Sequence, residues 1–127
     1  MKINRYVDIS TIDREAKKDY IDRHSAFIHA DNSVKKGEKL KVKVKVGDEY
    51  KHPDDPDHYI SWVQLWNREK MLAQTTFVEG AMGNSPDNVE VDFYIAASGS
   101  TMKLTAQAFC TKHGLWQSEE HDVEVVG

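Results

Sequence analysis

The sequence predicts an all-β antiparallel sandwich with a short N-terminal helical segment, for three reasons. From Lys39 the residues alternate strictly, with Leu40, Val42, Val44 and Val46 on one face and Lys39, Lys41, Lys43 and Lys45 on the other. That is the period of a half-buried strand. Further short apolar runs follow at 59–66, 72–78, 89–96, 102–109 and 122–126, the spacing expected of a sandwich. Polar and glycine-containing clusters such as Asn84-Ser85-Pro86-Asp87 and Ser98-Gly99-Ser100 separate them and supply the turns.

The elements can be justified in order. Residues 9–21 place Ile12, Ala16 and Tyr20 on one helical stripe, behind a cap at Ser10 or Thr11, and form the predicted helix. The strand from Lys39 ends at Gly47. Its lysine row reads either as a patch for an anionic partner or, more plainly, as the solvated outer face of a sheet. No internal repeat, low-complexity run or linker interrupts the later strands, so the expectation is one domain over residues 1–127.

Composition narrows the functional classes. A chain of 127 residues can bury a core without disulfides, and a net charge of -4 speaks against general nucleic-acid binding. A single cysteine forms no internal disulfide and suits a reducing compartment. The opening Met1-Lys2-Ile3-Asn4-Arg5-Tyr6 lacks the apolar run of a secretion signal, and no later stretch has the length and apolarity of a bilayer span. The expectation is a soluble cytoplasmic protein.

That cysteine lies in Cys110-Thr111-Lys112-His113-Gly114-Leu115-Trp116, and a second cluster reads His52-Pro53-Asp54-Asp55-Pro56-Asp57-His58. One soft thiolate with several imidazoles suits a redox-active transition metal better than a structural zinc. Taken singly, each residue has a plainer reading: Cys110 as a small buried hydrophobe, any one histidine as a hydrogen-bonded or surface group. Covalent haem attachment needs a second cysteine, and a rubredoxin-like iron centre needs four, so neither fits this chain.

Together with His24, these segments resemble the ligand pattern of superoxide reductases of the one-iron neelaredoxin type, the iron domain of the desulfoferrodoxin family. The likeness runs from Asp22 to Trp116. It implies an immunoglobulin-like β-sandwich and a mononuclear non-haem iron with His24, His52, His58 and His113 equatorial and Cys110 axial. It also implies one-electron reduction of superoxide to hydrogen peroxide, re-reduction by an external donor such as rubredoxin, and a homo-oligomer, dimer or tetramer. Pro53 would fix a ligand loop and Gly114 a tight turn, while Trp116 would shield the site or serve as ordinary core. His29 and His121 match no ligand position.

Family members read Glu-Lys-His-Val-Pro where this chain reads Asp22-Arg23-His24-Ser25-Ala26. In the family the glutamate can occupy the sixth position of ferric iron and the lysine attracts superoxide, so Asp22 and Arg23 become the candidate catalytic residues. Arginine keeps the attraction but is a poor proton donor. Lys51 and Lys112 also precede proposed ligands; they either add to a local positive field or simply face solvent, and Lys51 is the secondary candidate. The alternatives are a non-catalytic iron-binding electron-transfer protein on the same fold and a metal-free interaction module.

Overall fold

The alternating run from Lys39 is the central strand of the smaller of two sheets in the computed structural model, which describes residues 4–5 and 14–127. In chain order the elements are β1 (Asn4–Arg5), α1 (Arg14–His24), β2 (Ala26–His29), β3 (Ser33–Lys35), β4 (Lys39–Val46) and β5 (Ile60–Asn67). They continue with β6 (Lys70–Thr76), β7 (Glu90–Ala96), β8 (Thr101–Cys110), β9 (Gly114–Gln117) and β10 (His121–Val126). β4 pairs antiparallel with β2 on one side and β7 on the other. Its valines and Leu40 are buried, while Lys41 and Lys43 reach Asp92 and Glu90 across the strand pair at 3.9 and 3.6 Å. The lysine row is a solvated sheet face with weak, exposed ion pairs.

The larger sheet has seven strands and is organised by β8. β5 runs along one side of β8, and β9 and β10 follow each other along the other. Met102, Leu104, Ala106, Ala108 and Cys110 alternate inward along β8 and are all buried. They close the core against Val63 and Leu65 of β5, Val123 of β10 and the inward face of β4. Cys110 is therefore the last rung of the apolar stripe, so whatever its sulfur meets lies at one end of the sandwich. A register shift between Ile60 and Trp62 lets the chain leave regular pairing beside that rung.

The structure extends the expected plan in three places. β2, β3 and β9 had no strand signal, because runs of three or four residues between polar neighbours carry too little periodicity. β1 with β9 and β3 with β10 pair parallel, against the purely antiparallel expectation. Partners so distant in sequence are not joined by a hairpin, and nothing forces them to run in opposite directions. The helix expected at 9–21 is seen as α1, which continues to His24; Ser10, Thr11 and Ile12 lie outside the described residues. Among the described residues no helix is long and apolar enough to cross a membrane.

Leu65 is fully enclosed between the sheets whereas Val78 is 73% exposed. Leu65→Ala is expected to cost about 2–5 kcal/mol in a urea titration, and Val78→Ala less than about 0.5 kcal/mol. Equal midpoints for the two variants would contradict this placement of the core.

Candidate metal centre

Five side chains meet at the end of the sandwich where β8 finishes. His24 is the last residue of α1, and Cys110 is the last of β8. His52 forms an isolated bridge with Asp87, and His58 one with Asp55, so both stand on the long β4–β5 connection. His113 sits in the turn between β8 and β9, where Gly114 adopts φ +83 and returns the chain to the sheet. Only glycine takes that conformation readily.

The imidazoles form a closed ring. Neighbouring centroids are 5.0 Å apart for His24 and His52, 4.8 Å for His52 and His58, 4.9 Å for His58 and His113, and 4.7 Å for His113 and His24. Each neighbouring pair is nearly perpendicular, at 76 to 85°, while His24 and His58 face each other across the ring at 6.2 Å with planes only 18° apart. One donor atom each from His24, His52, His58 and Cys110 lies within 4.8 Å of the others. His113 Nδ1 stands 3.0 Å from His24 Nε2 and 3.9 Å from Cys110 Sγ.

Hydrogen bonds fix which nitrogen faces inward. His24 Nδ1 lies 2.7 Å from the Tyr20 carbonyl and His52 Nδ1 2.7 Å from the Pro53 carbonyl. A carbonyl only accepts, so both Nδ1 atoms carry hydrogen and both Nε2 lone pairs point into the ring. His52 Nε2 faces Cys110 Sγ at 3.3 Å, and His58 Nε2 is buried with no hydrogen-bond partner. Lone pairs converging on one point repel unless a cation sits between them, so the set fits a metal. The two shortest spacings, 3.0 Å from His24 to His113 and 3.3 Å from His52 to Cys110, fit too, while His113 to Cys110 is longer at 3.9 Å. With metal–nitrogen bonds of about 2.1 Å and a metal–sulfur bond of about 2.3 Å, donors at right angles stand about 3.0 and about 3.1 Å apart.

Burial disfavours the imidazolium at His24, His52 and His58. It lowers His24 to about 4 and His52 to about 3, with the backbone acceptors opposing and the neighbouring imidazoles reinforcing the shift. His58 is lowered as well, first by burial and then by the charges of His113 and Lys112. Burial pushes the Cys110 thiol up, opposed by the backbone amides of Lys112 and His113 and the Lys112 charge. The His113 amide donates to Sγ at 3.4 Å.

Tyr20 and Trp116 wall the ring. The Tyr20 ring packs on His24, His113 and Trp116 at 4.8, 5.4 and 5.5 Å, and Trp116 stacks on His24 at 5.1 Å. Trp116 is thus both buried core and site wall, with its indole N–H donating to the His113 carbonyl. Tyr20 was legible only as a helix-stripe residue. Asp54, buried between the two loop histidines, accepts from the amides of Met82 and Asn84. Thr111 accepts from the Tyr59 amide and donates to the Asp57 carbonyl, tying the His58 loop to the end of β8.

The other candidates fall outside the ring. Asp22 Oδ2 is held by backbone amides of the β4–β5 connection. Arg23 pairs with Asp19 at 3.1 Å, yet its charge still depresses the His24 imidazolium. Lys51 is exposed. Lys112, next to His113, is the lysine whose charge is felt at both His58 and Cys110. His29 and His121 line a groove between β2, β3 and β10 with Lys35 and Lys39.

The lowered imidazoles set a pH response for the metal-free chain. Between 6.5 and the folded values near 4 and 3, the unfolded chain binds more protons than the folded one. Stability is therefore complete above about pH 6.5 and falls as the pH drops toward about 4. Thermal midpoints in chelator should follow that slope; a flat profile from about pH 7 to about pH 4 would mean the rings are not buried neutral.

Residues 12–119 match the desulfoferrodoxin family. The superoxide reductase of Thermococcus kodakarensis is 34% identical over 88 residues, covering 67% of this chain and 76% of that protein. The solved superoxide reductase of Nanoarchaeum equitans superposes with a TM-score of 0.63 at 34% identity, over 80% of this chain and 93% of that one. The neelaredoxin of Archaeoglobus fulgidus in its reduced form gives 0.63 at 27% identity, over 81% and 91%. Matched over most of its length in sequence and in fold, the chain belongs to the desulfoferrodoxin family.

Proposed function

We propose that residues 1–127 form one iron-binding domain that acts as a superoxide reductase, converting superoxide, one electron and two protons into hydrogen peroxide. The observation that carries this reading is the closed ring of imidazoles with a thiol beside it, in a chain similar to proteins named superoxide reductases. Iron, when bound, would supply a one-electron ferrous/ferric couple and a position open to a small anion.

His24, His52, His58, His113 and Cys110 would together hold the iron, four imidazoles and one thiolate donating to it. The 3.0 Å between His24 Nε2 and His113 Nδ1 supports right-angled donors. Tetrahedral zinc with bonds of about 2.1 Å would place two nitrogens about 3.4 Å apart, and five donors exceed its usual number. Cys110 must lose its proton to bind, and the His113 amide donating to its sulfur stabilises the thiolate that results. Tyr20 and Trp116 shield the imidazoles from bulk water. Arg23 and Lys112 place positive charge beside the ring on an acidic protein, with Lys51 as a further cation; such a field draws in an anionic substrate.

A rubredoxin-like electron donor and a dimeric or tetrameric homo-oligomer belong to the same proposal, supported by family membership. A reducing, cytoplasmic setting suits a centre that needs Cys110 as a thiolate.

Stopped-flow mixing of the ferrous protein with superoxide, with iron analysis of the same sample, tests the reading. Rapid oxidation with peroxide formed is expected; an iron-loaded protein that superoxide leaves ferrous would sink it and favour a plain electron carrier. Cys110→Ser should lose the visible thiolate band and most of the reactivity. His58→Ala should weaken iron binding by more than the roughly 10- to 100-fold typical of outer partners, while His29→Ala should not. An unaltered spectrum in Cys110→Ser would remove it from the coordination sphere.

The field is tested separately. Arg23→Glu should slow the bimolecular step by about tenfold at low salt, and the wild-type rate should decline as ionic strength rises. Salt-independent rates in both proteins would rule out steering.

A further inference from the structure

The sixth-position candidate of the sequence, Asp22, has its carboxylate committed elsewhere. Oδ2 accepts from three consecutive backbone amides, those of Asp48 at 3.0 Å, Glu49 at 3.0 Å and Tyr50 at 2.9 Å. Successive N–H groups aimed at one point form a small anion-binding concavity, and here the anion is a side chain of the same protein. We propose that Asp22 is a positioning residue: its carboxylate clamps the connection after β4 onto the end of α1, and so sets the spacing of His24 and His52. This rests on the metal-centre reading above.

The clamp sits symmetrically between the two histidines in sequence. Asp22 precedes His24 by two positions, and the last amide it receives, Tyr50, precedes His52 by two. The carbonyls of the same stretch are held from the opposite side, where Asn88 Nδ2 donates to Val46, Gly47 and Tyr50 at 3.1, 3.2 and 3.0 Å. The Gly47 amide donates to the Ser25 carbonyl at 2.9 Å. Gly47 itself has φ +79, and a Cβ there would run into the Tyr50 carbonyl and stand 2.9 Å from Asn88 Nδ2, so the connection folds on itself too tightly for a side chain, with the Arg23 Cα at contact distance beyond.

Turning Asp22 toward a metal would break three charge-assisted hydrogen bonds and free the loop that carries His52. The family glutamate's place is therefore filled here by a clamp, and the coordination position it could occupy stays open to outside anions when the site is oxidised.

The iron-loaded full chain tests this in wild type, Asp22→Asn and Asp22→Ala, by amide hydrogen exchange, chelator competition and azide titration of the ferric form. In Asp22→Ala, exchange at residues 48–50 should quicken by about tenfold or more, and iron should pass to chelator about 10- to 100-fold more readily. Asp22→Asn keeps an acceptor oxygen without the charge and should restore part of both; it also serves if the alanine variant does not fold. Azide affinity should stay within about twofold of wild type throughout. Unchanged exchange, or unchanged iron retention, in Asp22→Ala overturns the clamp. So does azide binding about tenfold tighter in that variant, which would place the carboxylate on the iron. None of these readings uses superoxide, so an iron-loaded protein inert to superoxide removes the reductase reading separately.

Discussion

Neutral imidazoles aimed at one another, with a buried thiol beside them, are the constraint around which this structure is arranged. Each ring must lose most of its water, remain unprotonated and present a chosen nitrogen, and none of the three follows from placing histidines near one another. Burial supplies the first two by penalising the imidazolium at His24 and His52. The carbonyls of Tyr20 and Pro53 supply the third by binding the opposite nitrogen. Left without a cation, the inward lone pairs and the unpartnered His58 Nε2 are a standing cost. The fold carries that cost at one end of a well-packed sandwich.

That location follows from the alternation of β8. Its inward residues run from Met102 to Cys110 without interruption, so one strand belongs to the core along its length and to the site at its tip. The remaining contributors come from a helix end, a long connection and a turn, which have little apolar surface of their own. Polar staples replace it. Asp54 fastens the histidine loop to the amides of Met82 and Asn84, Thr111 ties that loop to the end of β8, and Asn88 gathers three carbonyls at the end of β4 and beyond. A donor set held to fractions of an ångström needs such support.

The charge pattern separates what the whole molecule carries from what the site experiences. The chain is acidic overall, at -4, yet Arg23 and Lys112 both act on the ring. At physiological salt a field extends about 8 Å, so the ring responds to its near charges, the two cations and the opposing Asp55 and Asp57 carboxylates beside His58, more than to the distant net charge. Arg23 keeps this effect although its guanidinium is paired with Asp19, because an exposed ion pair is only partly screening.

The sandwich was legible wherever a strand was long enough to show its period. Lys39 to Val46 could be read residue by residue, and five later strands fell within about two residues of their observed limits. The donor residues were also written in the sequence, since Cys110, His113, His52 and His58 stand in two compact motifs and chemistry alone groups them. Tertiary structure decided the rest. It decided that α1 runs to His24, that β3 and β10 pair parallel, which nitrogen each ring presents, and that Asp22 serves backbone amides up to 28 positions away. It also brought His24 within 3.0 Å of His113 across 89 positions. Periodicity and motif spacing are properties of neighbouring residues and survive in a linear string. A tautomer or a carboxylate's partners depend on which distant groups arrive at the same point, and that is settled only when the two sheets close.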